Sequence, residues 1–250
     1  MRQTTIELVI DRFDPEGDEA PHPERHVVPY GEDMVVLDAL SNLKRDVDGS
    51  LTYRASCRMG ICGSCGMMVN GTPRLACGTY LREFYPAPVH VAPLANFPVI
   101  RDLVIDISDF LVKLSEVQPW LIRDDPNESP ASPFLQTPAE HELYKQYSMC
   151  INCMLCYSAC PVYALEPDFH GPAALALGRR YNLDSRDQGK SQRLLEMASS
   201  SGIWDCTFIG ECSAVCPKGV DPAKAIQQTK WETTVEGVAA LVWPWGRRAS

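Results

Sequence analysis

A chain of 250 residues, 45% of them hydrophobic, can bury the cores of two ordinary domains. Its net charge of −9 excludes a surface selected for nucleic acid, and no apolar run approaches the ~18 residues that read as a membrane span. The N-terminus MRQTTIELVIDRF has neither the basic-then-apolar pattern of a signal peptide nor a twin arginine, so a cytoplasmic protein is expected.

Residues 5–13 alternate apolar Ile6, Leu8 and Ile10 with polar Thr5, Glu7 and Asp11, the pattern of a half-buried strand. HVVPY, 26–30, offers a hairpin partner. Beyond Asp33, a candidate N-cap, Val36, Leu37, Leu40 and Leu43 fall on one helical face. Residues 51–80, with four cysteines and five glycines, read as loops with short strands, and PVHVAPL, 88–94, as a further strand. Ile100, Leu103, Val104, Ile107, Leu111 and Leu114 then mark an amphipathic helix. The segment 118–138, with five prolines and mixed charges, reads as a surface connector, and residues 139–235 as mainly helical. The expected organisation is a strand-rich domain at 1–98, a helix and connector at 99–138, and a helical domain at 139–250.

Eleven cysteines are too many for a reducing compartment without a reason, and an odd number cannot all pair as disulfides. Metal is the expected reason. CRMGICGSC supplies Cys57, Cys62 and Cys65, and LAC adds Cys77, the plant-type spacing for a [2Fe–2S] cluster. Gly60, Gly63 and Gly66 can adopt positive φ and bring backbone N–H groups to the sulfurs. The alternative is tetrahedral zinc, although zinc sites usually pair two C-x2-C knuckles and this segment has one.

CINCMLCYSACP, 150–161, matches the run C-x2-C-x2-C-x3-C-P in full, and CTFIGECSAVCP, 206–217, matches it with Ile209 at the second cysteine position. In two-cluster ferredoxins the fourth cysteine of each run crosses to the other cluster. That crossing assigns Cys150, Cys153, Cys156 and Cys216 to a [4Fe–4S] cluster. It leaves Cys206, Cys212 and Cys160 for a second cluster whose fourth corner faces Ile209. An aliphatic side chain cannot bind iron, so this cluster is expected to be [3Fe–4S]. The clusters then use all eleven cysteines. The alternatives are a [4Fe–4S] cluster whose open iron binds water or substrate, as in iron–sulfur hydro-lyases, and structural zinc.

The order of these clusters resembles the iron–sulfur subunit of succinate dehydrogenase and fumarate reductase. SCRMGICGSCGMMVNG, NFPVIRDLVID, CINCMLCYSACP, GPAALALGRRYNLDSRDQG and CTFIGECSAVCPKGVDPAKAI carry the resemblance over most of residues 50–230. It implies an α+β architecture: an N-terminal β-grasp plant-type ferredoxin domain, then an all-α bacterial-ferredoxin-like domain. It implies a partner flavoprotein with FAD and the dicarboxylate site, one or two membrane-anchor subunits that bind quinone, and a peripheral place on the cytoplasmic side of the cell membrane. No dicarboxylate site is expected on this chain. Ala164 and Leu165 stand where many succinate dehydrogenases carry a tryptophan, and Thr207 where they often have histidine, so the resemblance leans to a menaquinol-using fumarate reductase. Single electrons would pass between quinol and flavin through the three clusters. Lys218, in CPKG, matches a family lysine near the quinone, and is equally readable as a solvated residue in the turn after Pro217. Arg58 can tune the first cluster by charge or pair with an acid on the flavoprotein. The histidines (22, 26, 90, 141, 170) show no ligand spacing and read as bystanders. The tail LVWPWGRR, 241–248, suits a membrane interface and equally a disordered tail. Two other classes stay open on sequence: a soluble electron carrier or the iron–sulfur arm of another flavoenzyme, and a zinc-stapled structural protein.

Overall fold

The computed structural model describes residues 4–123 and 133–242, with side chains described as far as Val235. The middle of the proline-rich connector and the Trp/Arg tail beyond Val242 lie outside the described residues. In chain order the elements are β1 (Thr5–Arg12), β2 (His22–Pro29), α1 (Val36–Asp46), β3 (Gly66–Val69), β4 (Thr72–Leu75), β5 (Val89–Ala92), β6 (Val99–Arg101), β7 (Val104–Ile105), α2 (Ser108–Glu116), α3 (Pro138–Ser148), α4 (Leu155–Ser158), α5 (Pro161–Leu165), α6 (Pro172–Asn182), α7 (Lys190–Met197), α8 (Glu211–Ala214) and α9 (Pro222–Val242). They form two compact units that are not contiguous in sequence. The first contains Met1–Asp109, Ile151–Cys160 and Val215–Lys218, the second Phe110–Cys150, Pro161–Ala214 and Gly219–Ser250.

The first unit is built on a five-stranded mixed sheet in the order β2-β1-β5-β3-β4. The alternation read in the sequence holds: Ile6, Leu8 and Ile10 of β1 are buried. β1 pairs antiparallel with β2, as the hairpin reading expects, and parallel with β5. Val36, Leu37, Leu40 and Leu43 put one face of α1 into this core. Asp33 does not cap α1. The N-cap is Val35, and the carboxylate of Asp38 accepts its backbone N–H at 3.1 Å.

The helix expected from Ile100 to Leu114 is also corrected. Residues 99–105 form the β6–β7 hairpin, and the helix begins only at Ser108. The cause is Asp102. It sits in the left-handed region (φ 45°), is 3% exposed, and accepts from Arg12 Nε at 2.9 Å, Phe13 N at 3.1 Å and Thr52 N at 2.8 Å. Three donors on one buried carboxylate outweigh a helical spacing of apolar residues, and Ile100 and Leu111 are left exposed.

The described elements of the second unit are helices. α3 starts with a reciprocal cap in which Thr137 Oγ1 accepts Glu140 N–H at 3.2 Å and Glu140 accepts Thr137 N–H at 2.7 Å, with Pro138 in the first turn. α6 packs on α9, and its Ala173, Ala174 and Ala176 are all buried. Gly178 leaves room for Met197: a Cβ there would stand 2.7 Å from its sulfur. Arg193 is fully buried with its partner Asp187. It donates to Asp187 Oδ1 at 3.0 Å, to Asn182 at 2.8 Å, and to the carbonyls of Gln118 and Trp120 at 3.1 Å. The guanidinium thereby ties the start of the connector to α7. Replacing Arg193 by Met strands a buried carboxylate, and we expect a loss of about 3–5 kcal/mol, read as a lower unfolding midpoint with unchanged cluster spectra.

Candidate metal centres

The loop at 55–65 is shaped by Arg58, Gly60 and Gly63, with φ of 57°, 70° and 73°. These reversals turn backbone N–H groups inward. Cys57 Sγ accepts from Ile61 N and Cys62 N at 3.2 Å and from Met59 N at 3.5 Å. Cys77 Sγ accepts from Gly60 N at 3.3 Å, and Cys62 Sγ from Cys57 N at 3.4 Å. The distant fourth cysteine is brought in by a hairpin. Asn70 and Gly71 (φ 47° and 77°) make the tight turn between β3 and β4, whose register pairs Gly66 with Leu75. Cys65 and Cys77 flank that pair, and Ala76 N donates to Cys65 O at 3.0 Å.

Cys65 and Cys77 are buried, Cys62 is exposed, and Cys57 is half-buried. The Ser64 hydroxyl, 3.1 Å from Cys62 Sγ, and nearby backbone N–H groups bring that thiol down to about 6. Burial pushes Cys65 up to about 12. A set of converging thiols supplied with backbone N–H donors fits an anionic iron–sulfur group, whose sulfurs need that compensation.

The two cysteine-rich runs share one local conformation. In the first, Cys150 follows α3 and donates its N–H to Tyr147 O at 3.3 Å. Asn152 and Met154 have φ of 52° and 62° on either side of Cys153, and α4 follows. Tyr157 N and Ser158 N donate to Met154 O at 3.0 and 3.2 Å. In the second, Phe208 and Gly210 have φ of 61° and 89° on either side of Ile209, and α8 follows. Ser213 N and Ala214 N donate to Gly210 O at 2.9 and 3.2 Å. Cys153 and Ile209 therefore occupy the same position of the same loop. Cys153 is buried, whereas Ile209 is 59% exposed.

Several residues that support these runs were not singled out in the sequence. Asn96, itself at φ 67°, donates its side-chain amide to the carbonyls of Tyr157 at 3.0 Å, Ser158 at 3.2 Å and Cys160 at 3.4 Å. It caps the end of α4 and fixes Cys160. Lys230 on α9 donates to Cys206 O at 2.7 Å. Ser213 Oγ donates to Asp221 at 2.6 Å and accepts Ala223 N–H at 3.2 Å, which holds α8 on the start of α9. An Asn before Phe-Pro and a Lys on a helix carry no spacing signal, so only the fold exposes them.

Cys57, Cys62, Cys65 and Cys77 share the first unit with Cys153, Cys156, Cys160, Cys216 and half-buried Lys218, while Cys150, Cys206 and Cys212 belong to the second. Cys156 and Cys212 are buried. Of the five histidines, His170 departs from a bystander role: it is 3% exposed and lies between two glutamates.

Residues 7–112 match the family described as 2Fe-2S iron-sulfur cluster binding domain, and residues 146–220 match the 4Fe-4S dicluster domain. The fumarate reductase iron-sulfur subunit of Mycobacterium tuberculosis is 56% identical over 96% of this chain and 98% of its own length. The succinate dehydrogenase iron-sulfur subunit of Coxiella burnetii is 38% identical over 91% of this chain and 96% of its own. A chain of the Mycobacterium smegmatis Sdh1 complex in the apo form superposes with a TM-score of 0.82 at 26% identity, over 94% of this chain and 97% of that one.

Proposed function

This chain belongs to the family of iron–sulfur subunits of fumarate reductase and succinate dehydrogenase, and from that premise we propose how its residues carry electrons. It is the electron-transfer subunit of such an oxidoreductase, with a [2Fe–2S] domain followed by a 4Fe–4S dicluster domain. The finer reading is a β-grasp domain holding [2Fe–2S] on Cys57, Cys62, Cys65 and Cys77. Cys150, Cys153, Cys156 and Cys216 hold [4Fe–4S]. Cys160, Cys206 and Cys212 hold [3Fe–4S]. The observation that carries this reading is the shared loop conformation around Cys153 and Ile209: the second run keeps a ligand-presenting backbone and presents a hydrocarbon.

The clusters supply one-electron carriers between a two-electron quinol and a two-electron flavin. The chain's residues hold them and set their surroundings. Backbone N–H groups of residues 59–62 stabilise charge on the first set of sulfurs. Met59 and Ile61, 73% and 55% exposed on that loop, support docking to an FAD-containing flavoprotein, with Arg58 placed to pair with an acid there. Trp204 and Phe208, 49% and 58% exposed near the second run, support docking to one or two membrane-anchor subunits. Lys218 is assigned to the quinone oxygen. Among the described residues no helix is long and apolar enough to cross a membrane; the chain is assigned to the cytoplasmic side of the cell membrane through those anchors by the family resemblance. Identity of 56% to a fumarate reductase subunit against 38% to a succinate dehydrogenase one supports the fumarate-reducing branch; menaquinol as its electron donor rests on the family resemblance.

Lys230 supplies a testable electrostatic detail. Held 2.7 Å from Cys206 O, its ammonium stays within about 8 Å of that residue's sulfur by covalent reach. At an effective dielectric of about 20, a unit charge at about 8 Å is worth about 2 kcal/mol. We expect Lys230→Met to lower the midpoint potential of the three-iron cluster by tens of mV, read by redox titration, and to leave the other two potentials in place.

The function itself is tested by assembling the chain with its co-expressed flavoprotein and anchors. Menaquinol should reduce the clusters, and fumarate should reoxidise them only when the flavoprotein is present. Reoxidation by fumarate in the isolated chain, or no reduction by quinol in the full complex, overturns the assignment.

A further inference from the structure

We propose that Glu116, His170 and Glu196 form a binding site for a divalent cation of the Zn2+ class, separate from the eleven cysteines. The three residues come from the last turn of α2, the loop before α6, and α7, all on the second unit. One imidazole nitrogen and one oxygen from each carboxylate lie within 4.8 Å of one another.

The orientation of His170 is what distinguishes this cluster from a group of surface acids. Its Nδ1 lies 2.7 Å from Ser201 O, and its backbone N–H donates to the same carbonyl at 2.9 Å. A carbonyl only accepts, so Nδ1 carries a proton and Nε2 is the nitrogen that faces the two carboxylates. This is the arrangement in which a metal-binding histidine has its tautomer and ring plane fixed by its other nitrogen. Nε2 then points at two further acceptors, Glu196 Oε1 at 3.0 Å and Glu116 Oε2 at 3.4 Å.

Two carboxylates directed at one imidazole nitrogen repel unless a positive charge, either a proton on that nitrogen or a metal cation, sits between them. Ligands about 2.1 Å from a tetrahedral cation stand about 3.4 Å apart, close to the separations found. One imidazole with two carboxylates suits a borderline cation such as Zn2+ better than a soft or a hard one. The imidazole is 4% exposed, while Glu116 and Glu196 are 46% and 43% exposed, so the site has a fixed buried ligand and an open side for entry and a water. Lys113, on the same helix as Glu116, is turned away from this point: it donates to Pro167 O and lies 4.6 Å from the Tyr163 ring centroid. A cation here would clamp the end of α2 to α7.

The test uses the full chain in its complex, with clusters intact by EPR, depleted of zinc and then dialysed to equilibrium against 65Zn2+. Wild type should bind one additional zinc. Glu116→Gln and Glu196→Gln should each weaken that binding at least about tenfold, and the double variant should abolish it, with iron content and EPR signals unchanged. Both substitutions keep side-chain size at exposed positions, so folding is retained, and iron content verifies it. Equal zinc uptake by wild type and the double variant overturns the proposal, as does no uptake by wild type. In the latter case the pair of glutamates is bridged by a protonated His170 alone.

Discussion

Placing a cysteine at position 209 should convert the three-iron cluster into a four-iron one. Ile209 is flanked by Phe208 and Gly210 at positive φ, as Cys153 is by Asn152 and Met154, and a one-turn helix follows each residue. A thiol introduced here would leave the backbone in the same local frame that presents Cys153. Because the backbone already adopts this conformation, Ile209→Cys requires no rearrangement. Iron should rise from about nine to about ten per chain, and the spin-half signal of the air-oxidised three-iron cluster should vanish. The added iron and charge should lower that cluster's potential by an amount on the order of hundreds of mV. Every ~59 mV uphill costs tenfold for one electron, so quinol oxidation should slow at least about tenfold. An unchanged iron content would mean that residue 209 does not face a cluster corner.

The second large effect is expected at Gly63. Its φ is +73°, and a Cβ there would stand 2.8 Å from Cys153 Cβ, 2.9 Å from Cys153 Cα and 3.0 Å from Ile151 O. None of these atoms is the end of a flexible side chain. The left-handed conformation costs an L-residue about 1–2 kcal/mol, and overpacking about 1–3 kcal/mol more. Gly63→Ala should therefore destabilise the first unit by about 2–5 kcal/mol and deplete the [2Fe–2S] signal. Gly60→Ala is the control, because Gly60 has a similar φ of +70° but nothing within 4 Å of the added carbon. It should lose only the conformational part. Equal losses in the two variants would remove the steric argument.

Which features were legible in the sequence follows from the range of the interactions that determine them. The cysteine spacings are local, and their reading as 2Fe–2S and 4Fe–4S regions agrees with the family matches. The alternation in β1 is local too, and its buried face is Ile6, Leu8 and Ile10 as read. The helix placed at 100–114 failed because apolar spacing there competed with a buried Asp102 that answers to Arg12, Phe13 and Thr52, all far away in sequence. The Asn70–Gly71 turn was a readable signal, and it explains how Cys77 reaches Cys65. Asn96 and Lys230 act on carbonyls of Cys160 and Cys206 at long sequence separation, which no spacing reveals. The same holds for His170, whose two carboxylates come from other helices.

The central claim is that the second cysteine-rich run holds a cluster short of one iron because Ile209 replaces a ligand. The direct measurement is EPR with iron and sulfide analysis on the anaerobically purified full chain in its complex. The account predicts about nine irons per chain, in clusters of two, four and three, and a spin-half signal on air oxidation. About eight irons in the two C-terminal clusters, with no such oxidised signal, would contradict it.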